Sequence, residues 1–314
     1  MTFKKILKIL IPLILGGFLV WYSLTIVSPS ELVLYFKNAN YWWISMGLVF
    51  GILSHLSRAY RWKFLLQPLG YQPKFLNSIL AVLVAYLMNI FLPRAGEVTR
   101  AAVMANYEDI PFEKGFGTIV AERLADLLMM LIVVSIALFV QFDFILNLVA
   151  KDFNPSKIIG TIIGGILLFI IFIRFIKKGK SKFARKLKKF FSGLKDGVTS
   201  ILRMKNKWAF LFHTVFIWVM YVAMFWAIIP AIEGLEVPFG GILIGFIAGG
   251  FSIAATNGGV GLYPIAVASA LSLFGIDSVT GNAFGWIMWT SQTAMVIVFG
   301  GLSFLLLPIY NKNT

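Results

Sequence analysis

Three charged residues follow an apolar run in the segment "MNIFLPRAGEVTRAA" at 88–102. Arg94, Glu97 and Arg100 stand at three-residue steps, so they share one face of a helix. A helix that begins after Pro93 would direct its N-terminal amides towards these side chains. Amides at a helix N-terminus attract anions, and arginine binds phosphate and carboxylate through two parallel hydrogen bonds. The segment therefore predicts a binding site for an anionic group.

Acidic residues in "VAERLADLL" at 120–128 provide the opposite charge. Glu122 and Asp126 are about one helical turn apart, and Arg123 lies beside them. These carboxylates could balance the arginines of the preceding segment, or bind a cationic group or a proton. The alternative is structural, because salt bridges within and between helices would hold the segments together without any ligand.

A glycine-rich break, "ATNGGVGLYPIAVASAL", interrupts a later apolar region. Gly258, Gly259 and Gly261 permit unusual backbone angles, and the amides freed there, with Asn257, could hold a phosphate or a carbonyl group. The alternative is a tight turn without a ligand. The spacing and the lysine of a nucleotide-binding P-loop are missing.

The composition identifies an integral membrane protein. Of the 314 residues, 59% are hydrophobic and only 13% are charged, which excludes a soluble globular domain whose surface must be wetted. Several apolar runs reach the length of about 20 residues that a helix needs to cross a bilayer. The N-terminal run is longer than a signal-peptide core and lacks a cleavage site, so we expect it to be a retained span. The clear spans are 6–27, 41–57, 116–142, 158–176, 208–232 and 282–307.

Two further apolar regions, 75–104 and 239–274, are broken near their middle by proline and glycine. Lysine and arginine mark the N-terminus and the loops 58–74 and 174–207 as cytoplasmic. The first broken region then begins and ends in the cytoplasm. It must be a re-entrant hairpin or two short crossings, since irregular backbone at membrane depth needs protein or water around it.

Hydropathy and charge together predict an all-α integral membrane protein with about six full spans and two re-entrant helical hairpins. A single domain, 1–314, would contain two inverted repeats, 41–142 and 208–307. Both termini would be cytoplasmic. Between the repeats, 158–207 would add a connecting span and a basic amphipathic helix, 182–203, that lies on anionic lipids of the inner leaflet or only connects the repeats.

Other classes of function lack their residues. The chain has no cysteine, and its two histidines, His55 and His213, stand far apart near predicted span ends, where we expect interfacial polar residues. We expect no metal, no cofactor and no catalytic set, and hence no enzyme. The net charge of +15 is assigned to cytoplasmic loops rather than to nucleic-acid binding.

The motifs "NIFLPRAGEVTRA", "AERLADLL" and "NGGVGLYPIAVASAL" resemble those of the lysylphosphatidylglycerol synthase transmembrane (flippase-like) region. The resemblance extends from about residue 6 to 307 and departs from the family pattern at Tyr263 and Pro264, where an acid is common. It implies a stand-alone member without the C-terminal aminoacyl-transferase domain, and therefore lipid handling rather than aminoacylation.

The expected function is a flippase-like transporter in the cell (inner) membrane that moves a phospholipid or a polyisoprenoid-phosphate lipid for envelope assembly. Arg94 and Arg100 would grip the headgroup phosphate. Glu97, Glu122 and Asp126 would neutralise them, and Arg123 could serve either charge network. Alternatives are a membrane-embedded lipid-modifying transferase with Glu122 or Asp126 as base, and a scaffold for an envelope glycosyltransferase. A homo-oligomer or an envelope-enzyme partner fits each hypothesis.

Overall fold

The structure is a computed structural model that describes residues 3–92, 94–142, 204–256 and 258–312, with side chains from residue 14 onward. These residues form α-helices and short connections, without a strand among them. The predicted connecting span 158–176 and the amphipathic helix 182–203 lie outside the described residues. Two compact units are present: Met1–Glu122 with Trp208–Thr314, and Arg123–Lys207.

The helices are numbered in chain order over the described residues. They are α1 (Phe3–Ile26), α2 (Pro29–Asn38), α3 (Tyr41–Leu66), α4 (Phe75–Phe91), α5 (Ala95–Tyr107), α6 (Phe112–Val140), α7 (Lys207–Ile228), α8 (Phe239–Ala255), α9 (Leu262–Ser272) and α10 (Ser278–Tyr310). Short 3-10 turns, Gln67–Leu69 and Ile229–Ala231, follow α3 and α7.

Helix α2 occupies the region 28–40 that hydropathy assigns to a loop. Ser28 begins it with a capping box, in which its hydroxyl accepts from the Glu31 amide and the Glu31 carboxylate accepts from the Ser28 amide. The chain bends by 77° between α1 and α2. Hydropathy misses α2 because a short helix with polar residues resembles a loop in a membrane-length window.

Helix α3 continues nine residues past the predicted end of its span, to Leu66. Arg58 and Arg61, which the charge pattern places in a cytoplasmic loop, are only 3% and 0% exposed on this helix. The loop prediction is therefore wrong over 58–66. Charge counting fails here because arginines can remain inside a helical bundle when other polar groups of the bundle pair with them.

Helices α4 and α5 form an antiparallel hairpin, as the break at "FLPRAGE" predicts. Near the tip, the Asn89 side-chain oxygen accepts from the Gly96 amide at 2.8 Å. At the open end, Asn77 of α4 donates to Glu108, which follows α5. The two ends of the hairpin therefore lie on the same side of the bundle.

Helices α8 and α9 form the second hairpin, broken over 256–261. Gly249 of α8 lies against the ring of Tyr263 on α9, and Gly241 lies against Phe274 beyond the end of α9. The antiparallel arrangement confirms that the glycine-rich segment is the break between two apolar arms. Each hairpin begins with a 17-residue arm.

Three of the described helices, α6, α10 and the segment Lys207–Ala231 that contains α7, are long and apolar enough to cross a membrane. A fourth results if Ile14–Ile26 and α2 form one bent span. Helix α10 contacts both hairpins, because Gly300 lies against Leu83 and Leu87 of α4 and Gly285 lies against Pro264 of α9.

Candidate functional site

A buried carboxylate joins two arginines from different helices at the centre of the candidate site. Glu122 of α6 is fully buried, and its Oε2 accepts from Arg100 Nη1 of α5 at 2.5 Å. Its Oε1 accepts from Arg61 Nη2 of α3 at 3.3 Å. We call Arg61, Glu122 and Arg100 the Arg–Glu–Arg cluster. One carboxylate thus connects the hairpin to its neighbours α3 and α6.

Aromatic and hydroxyl side chains fix the orientation of both guanidinium groups. Arg100 stacks on Trp62, with its guanidinium carbon 3.7 Å from the ring centroid. Arg61 donates to the Thr214 hydroxyl of α7 at 3.0 Å and lies 5.3 Å from the Phe210 ring centroid. A flat guanidinium can stack on one group while it hydrogen-bonds in its plane to another. The cluster is therefore rigidly built.

A second hydrogen bond fixes Trp62 itself. Its Nε1 donates to the Thr118 hydroxyl at 2.8 Å, and Thr118 donates in turn to the Gly115 carbonyl at 2.7 Å. Thr118 lies one turn before Glu122 on α6. The same helix therefore supplies the carboxylate and positions the ring on which Arg100 stacks.

The cluster is chemically suited to exchange one anion for another. Buried charges are costly unless they are paired and hydrogen-bonded, and here two guanidiniums surround one carboxylate. Phosphate and carboxylate present similar oxygen pairs to a guanidinium. An arriving phosphate could therefore replace the oxygens of Glu122 with little rearrangement of the arginines.

The three charged residues of the opening segment differ in their surroundings. Arg100 belongs to the Arg–Glu–Arg cluster and Glu97 is half-buried. Arg94 precedes the first residue of α5 and is exposed at the hairpin tip, with a φ of 60° in the left-handed region. Glu97 and Arg100 therefore lie on α5, as the three-residue spacing predicts. Arg94 does not, because it is the N-cap residue that precedes the helix.

Arg123 and Asp126 belong to the second compact unit and are described separately. Arg123 Nη1 lies 3.5 Å from Asp126 Oδ2, three residues away on α6. The arginine side chain is 45% exposed and the aspartate side chain 11%. This pair has the geometry of the intrahelical salt bridge that the sequence offers as the structural alternative.

The glycines of the second break adopt the backbone conformations that their residue type suggests. Gly258, Gly259 and Gly261 have φ values of 65°, 83° and 68°, in a region that other residues rarely adopt. Trp289 of α10 donates to the Gly258 carbonyl at 2.7 Å. A side chain at Gly261 would collide with Leu19 and Val20 of α1. Asn257, the remaining predicted site residue, lies outside the described residues.

Sequence reasoning missed Arg58, Arg61, Trp62 and Thr214. One signal was available: His55, Arg58 and Arg61 follow each other at three-residue steps, which continue the helical face beyond the predicted span. The two histidines are not simple interfacial residues. His55 is buried, and His213 Nδ1 lies 2.8 Å from the Ser57 hydroxyl across α3 and α7. Within the part of the chain that the structure describes, no group of histidines and acids has the make-up of a metal site.

Two curated proteins are similar in sequence to part of the chain. A UPF0104 membrane protein of Methanocaldococcus jannaschii is 30% identical over 125 residues, which are 39% of this chain and 37% of that protein. The glycosyltransferase AglD of Haloferax volcanii is 31% identical over 105 residues, 32% of this chain and 16% of that protein. The chain thus spans well under half the length of these curated relatives. No solved structure matches it.

The family comparison covers far more of the chain. The model of the lysylphosphatidylglycerol synthase TM region matches residues 9–301, and so includes both hairpins and the complete Arg–Glu–Arg cluster. Because the match extends over almost the whole sequence, and the motifs resemble that family independently, the chain belongs to the lysylphosphatidylglycerol synthase TM region family.

Proposed function

We propose that the protein is a lipid transporter whose Arg–Glu–Arg cluster binds the phosphate of a lipid headgroup. The observation that carries the proposal is the buried Glu122 carboxylate, which accepts from guanidiniums on two separate helices. Intramembrane charges are costly and mark substrate paths by default. In the protein without lipid, the Glu122 carboxylate lies between the two guanidiniums. When a lipid binds, its phosphate displaces the carboxylate from this position.

The depth of the cluster suits a lipid headgroup that has left the membrane surface. Arg61 and Arg100 stand five and seven residues before the ends of their helices, and Glu122 stands ten residues after the start of α6. At a rise of about 1.5 Å per residue, the cluster lies about 8–15 Å from these helix ends. Exposed Lys63, Lys74 and Lys114 stand near those ends, which the positive-inside rule assigns to the cytoplasm. A headgroup would therefore enter from the inner leaflet.

The two hairpins support a transport mechanism rather than static binding. Secondary transporters commonly bind substrate at paired broken helices in inverted repeats. We propose that 41–142 and 208–307 are such repeats, with the hairpins α4–α5 and α8–α9 in equivalent places. Exposed Arg94 at the first tip would contact the headgroup on its way through. Half-buried Glu97 and the three glycines of the second tip would line that route.

The relatives are compatible with a role in envelope assembly. One is named as a membrane protein and the other as a glycosyltransferase. A chain that moves a phosphate-bearing lipid across the membrane would supply the lipid substrate of a glycosyltransferase reaction. The lipid is therefore expected to be a phospholipid or a polyisoprenoid phosphate.

Glu122→Gln tests the exchange directly. If phosphate displaces the carboxylate, the neutral amide should raise retention of phosphatidylglycerol, measured by native mass spectrometry of the detergent-solubilised full-length chain. It should also slow transbilayer movement of acyl-labelled fluorescent phosphatidylglycerol in proteoliposomes, because Glu122 no longer helps to expel the lipid. The empty variant should unfold at a lower temperature, and added lipid should restore the midpoint by mass action.

The matched control is Glu113→Gln, at an exposed position in the first turn of the same helix. It should leave retention, transport and unfolding unchanged. If Glu122→Gln lowers the unfolding midpoint and added lipid neither binds more tightly nor restores it, the cluster only holds helices together. A wild-type chain that moves neither labelled phosphatidylglycerol nor a labelled polyisoprenoid phosphate would equally refute the transporter.

A further inference from the structure

A second polar cluster lies one turn before the Arg–Glu–Arg cluster on α3. Arg58 Nη2 donates to the Tyr221 hydroxyl of α7 at 3.2 Å. That hydroxyl lies 3.0 Å from the Tyr86 hydroxyl of α4, and the Tyr86 ring centroid lies 4.2 Å from that of His55. Arg58 precedes Arg61 by three residues, about 4.5 Å along the helix axis. The two clusters therefore extend from adjacent turns of the same helix.

Two buried nitrogens beside these tyrosines have no hydrogen-bond partner in the described part of the chain. They are Nδ1 of His55 and Nε1 of Trp218, on side chains that are 6% and 7% exposed. The Trp218 ring stands edge-on to Tyr221 at 6.2 Å between centroids. An indole N–H can only donate, so it requires an acceptor, and none of the described residues supplies one. Buried polar atoms left in this state commonly indicate a missing ligand or water.

We propose that His55, Arg58, Tyr86, Trp218 and Tyr221 form a hydroxyl subsite, which binds the hydroxyl groups of a polyol or sugar esterified to the lipid phosphate. This inference rests on the proposed phosphate site. Hydroxyl groups suit both orphan nitrogens, because a hydroxyl can accept from the Trp218 indole and can donate to an imidazole nitrogen. The aromatic rings provide apolar faces for the carbon skeleton. Tyr86, Trp218 and Tyr221 are neutral hydrogen-bonding groups, and the Arg58 guanidinium already donates to the Tyr221 hydroxyl, which suits the hydroxyls of a polyol.

The spacing assigns the substrate class. A polyol esterified directly to phosphate places its hydroxyls a few bonds from the phosphorus, which suits an offset of about 4.5 Å between Arg58 and Arg61. A phosphodiester with a bare alkyl group would fill the phosphate site and leave His55 Nδ1 and Trp218 Nε1 without hydrogen bonds. The two kinds of lipid should therefore differ in affinity although they carry the same charge.

Native mass spectrometry with equimolar phosphatidylglycerol and phosphatidylmethanol tests this difference on the full-length chain. Both lipids carry a single negative charge, and only the first has hydroxyl groups. The wild type should retain phosphatidylglycerol roughly tenfold better, because one or two buried hydrogen bonds separate the complexes. Trp218→Phe and Tyr221→Phe should each bring the ratio towards one. Trp226→Phe, at an exposed position on the same helix, should keep the wild-type ratio.

Phosphatidylinositol, in a parallel mixture, distinguishes a ring-shaped polyol from the linear one, and preference for either over phosphatidylmethanol supports the proposal. Equal retention of all three lipids by the wild type would overturn the hydroxyl subsite while the phosphate site stands. An unchanged ratio in Trp218→Phe, with both lipids weakened alike, would also overturn it, since the ring would then be only structural. If the wild type retains none of these lipids, both the hydroxyl subsite and a phospholipid substrate are refuted.

Discussion

Arg100 makes two interactions that an ammonium group cannot reproduce together. Its guanidinium carbon stands 3.7 Å from the Trp62 ring centroid while its Nη1 donates to Glu122. Stacking and in-plane hydrogen bonding are compatible only for a flat, delocalised cation. A desolvated cation–π contact contributes about 2 kcal/mol, so the planar shape of the side chain is part of the stability of the hairpin.

Arg100→Lys should therefore destabilise the protein although the charge is kept. We expect the free energy of unfolding to fall by about 2 kcal/mol, the size of the lost stacking contact. The measurement is equilibrium unfolding of the detergent-solubilised chain, followed by tryptophan fluorescence.

Arg94→Lys is the control, because Arg94 is exposed at the hairpin tip. Exposed substitutions of this kind usually change stability by less than about 0.5 kcal/mol. Equal effects of the two substitutions would show that burial and stacking of Arg100 contribute nothing.

The first hairpin is an element held at both ends. Its 17-residue arm α4 is about 25 Å long, short of the roughly 30 Å of a hydrocarbon core. At the base, Asn77 and Asn311 exchange two side-chain hydrogen bonds of 2.9 Å each, which tie the hairpin to the end of α10. Near the tip, the arms cross closely at Gly96.

Gly96→Ala should separate the two arms of the hairpin. The new Cβ would collide with the Ala85 carbonyl oxygen and would lie 2.7 Å from Asn89 Nδ2. Because a helix backbone cannot yield as a side chain can, we expect a loss of about 1–3 kcal/mol in unfolding free energy. Lipid retention should fall as well, since α5 carries Arg100.

Gly117→Ala provides the matched helical control. Gly117 lies on α6, and among the described residues no atom beyond its own turn of helix comes within 4 Å of the position that a Cβ would take. Alanine is a better helix former than glycine by up to about 1 kcal/mol, so this variant should be neutral or more stable. If both variants have the same unfolding free energy, the close packing of α4 and α5 at Gly96 does not stabilise the hairpin.

At the scale of the whole molecule, the first compact unit joins the two ends of the sequence. Helix α10 contacts α4 near Gly300 and α9 near Gly285, and α1 contacts the tip of the second hairpin at Gly261. Buried polar contacts also connect α1 with α10, because the Ser23 hydroxyl donates to Asn282 and accepts from Trp286, both at 3.0 Å. The two hairpins are therefore parts of one unit.

Single cysteines can test the orientation of the hairpins, since the natural chain contains none. Gln72→Cys and Asn106→Cys lie at exposed positions on either side of the open end of the first hairpin. Both should react with a membrane-impermeant maleimide only in inside-out vesicles. Glu236→Cys, exposed before α8, should react only from outside, because inverted repeats would open the second hairpin to the opposite face of the membrane. Labelling of all three from one side would exclude the inverted arrangement.

Much of this architecture follows from the sequence alone. Composition determines the membrane class, since so apolar a chain cannot wet its own surface. Proline and glycine determine both breaks: the structure interrupts its helices over 92–94 and 256–261, inside the predicted segments. Local backbone chemistry is readable from local residue types. The family also follows from these motifs, because they coincide with the broken segments.

Partners distant in sequence required the tertiary structure. Glu122 was a candidate counter-charge, but its pairing with Arg61 joins positions 61 residues apart, and charge counting had placed Arg61 in a loop. A hydropathy scale assigns each arginine the cost of burying an unpaired charge, which is too high for a membrane segment. Folding brings the carboxylate, Trp62 and Thr214 around the guanidiniums, and the cost of burying them falls. The chain therefore determines which segments enter the membrane, and only the packing of α3, α5, α6 and α7 determines which charges can remain there.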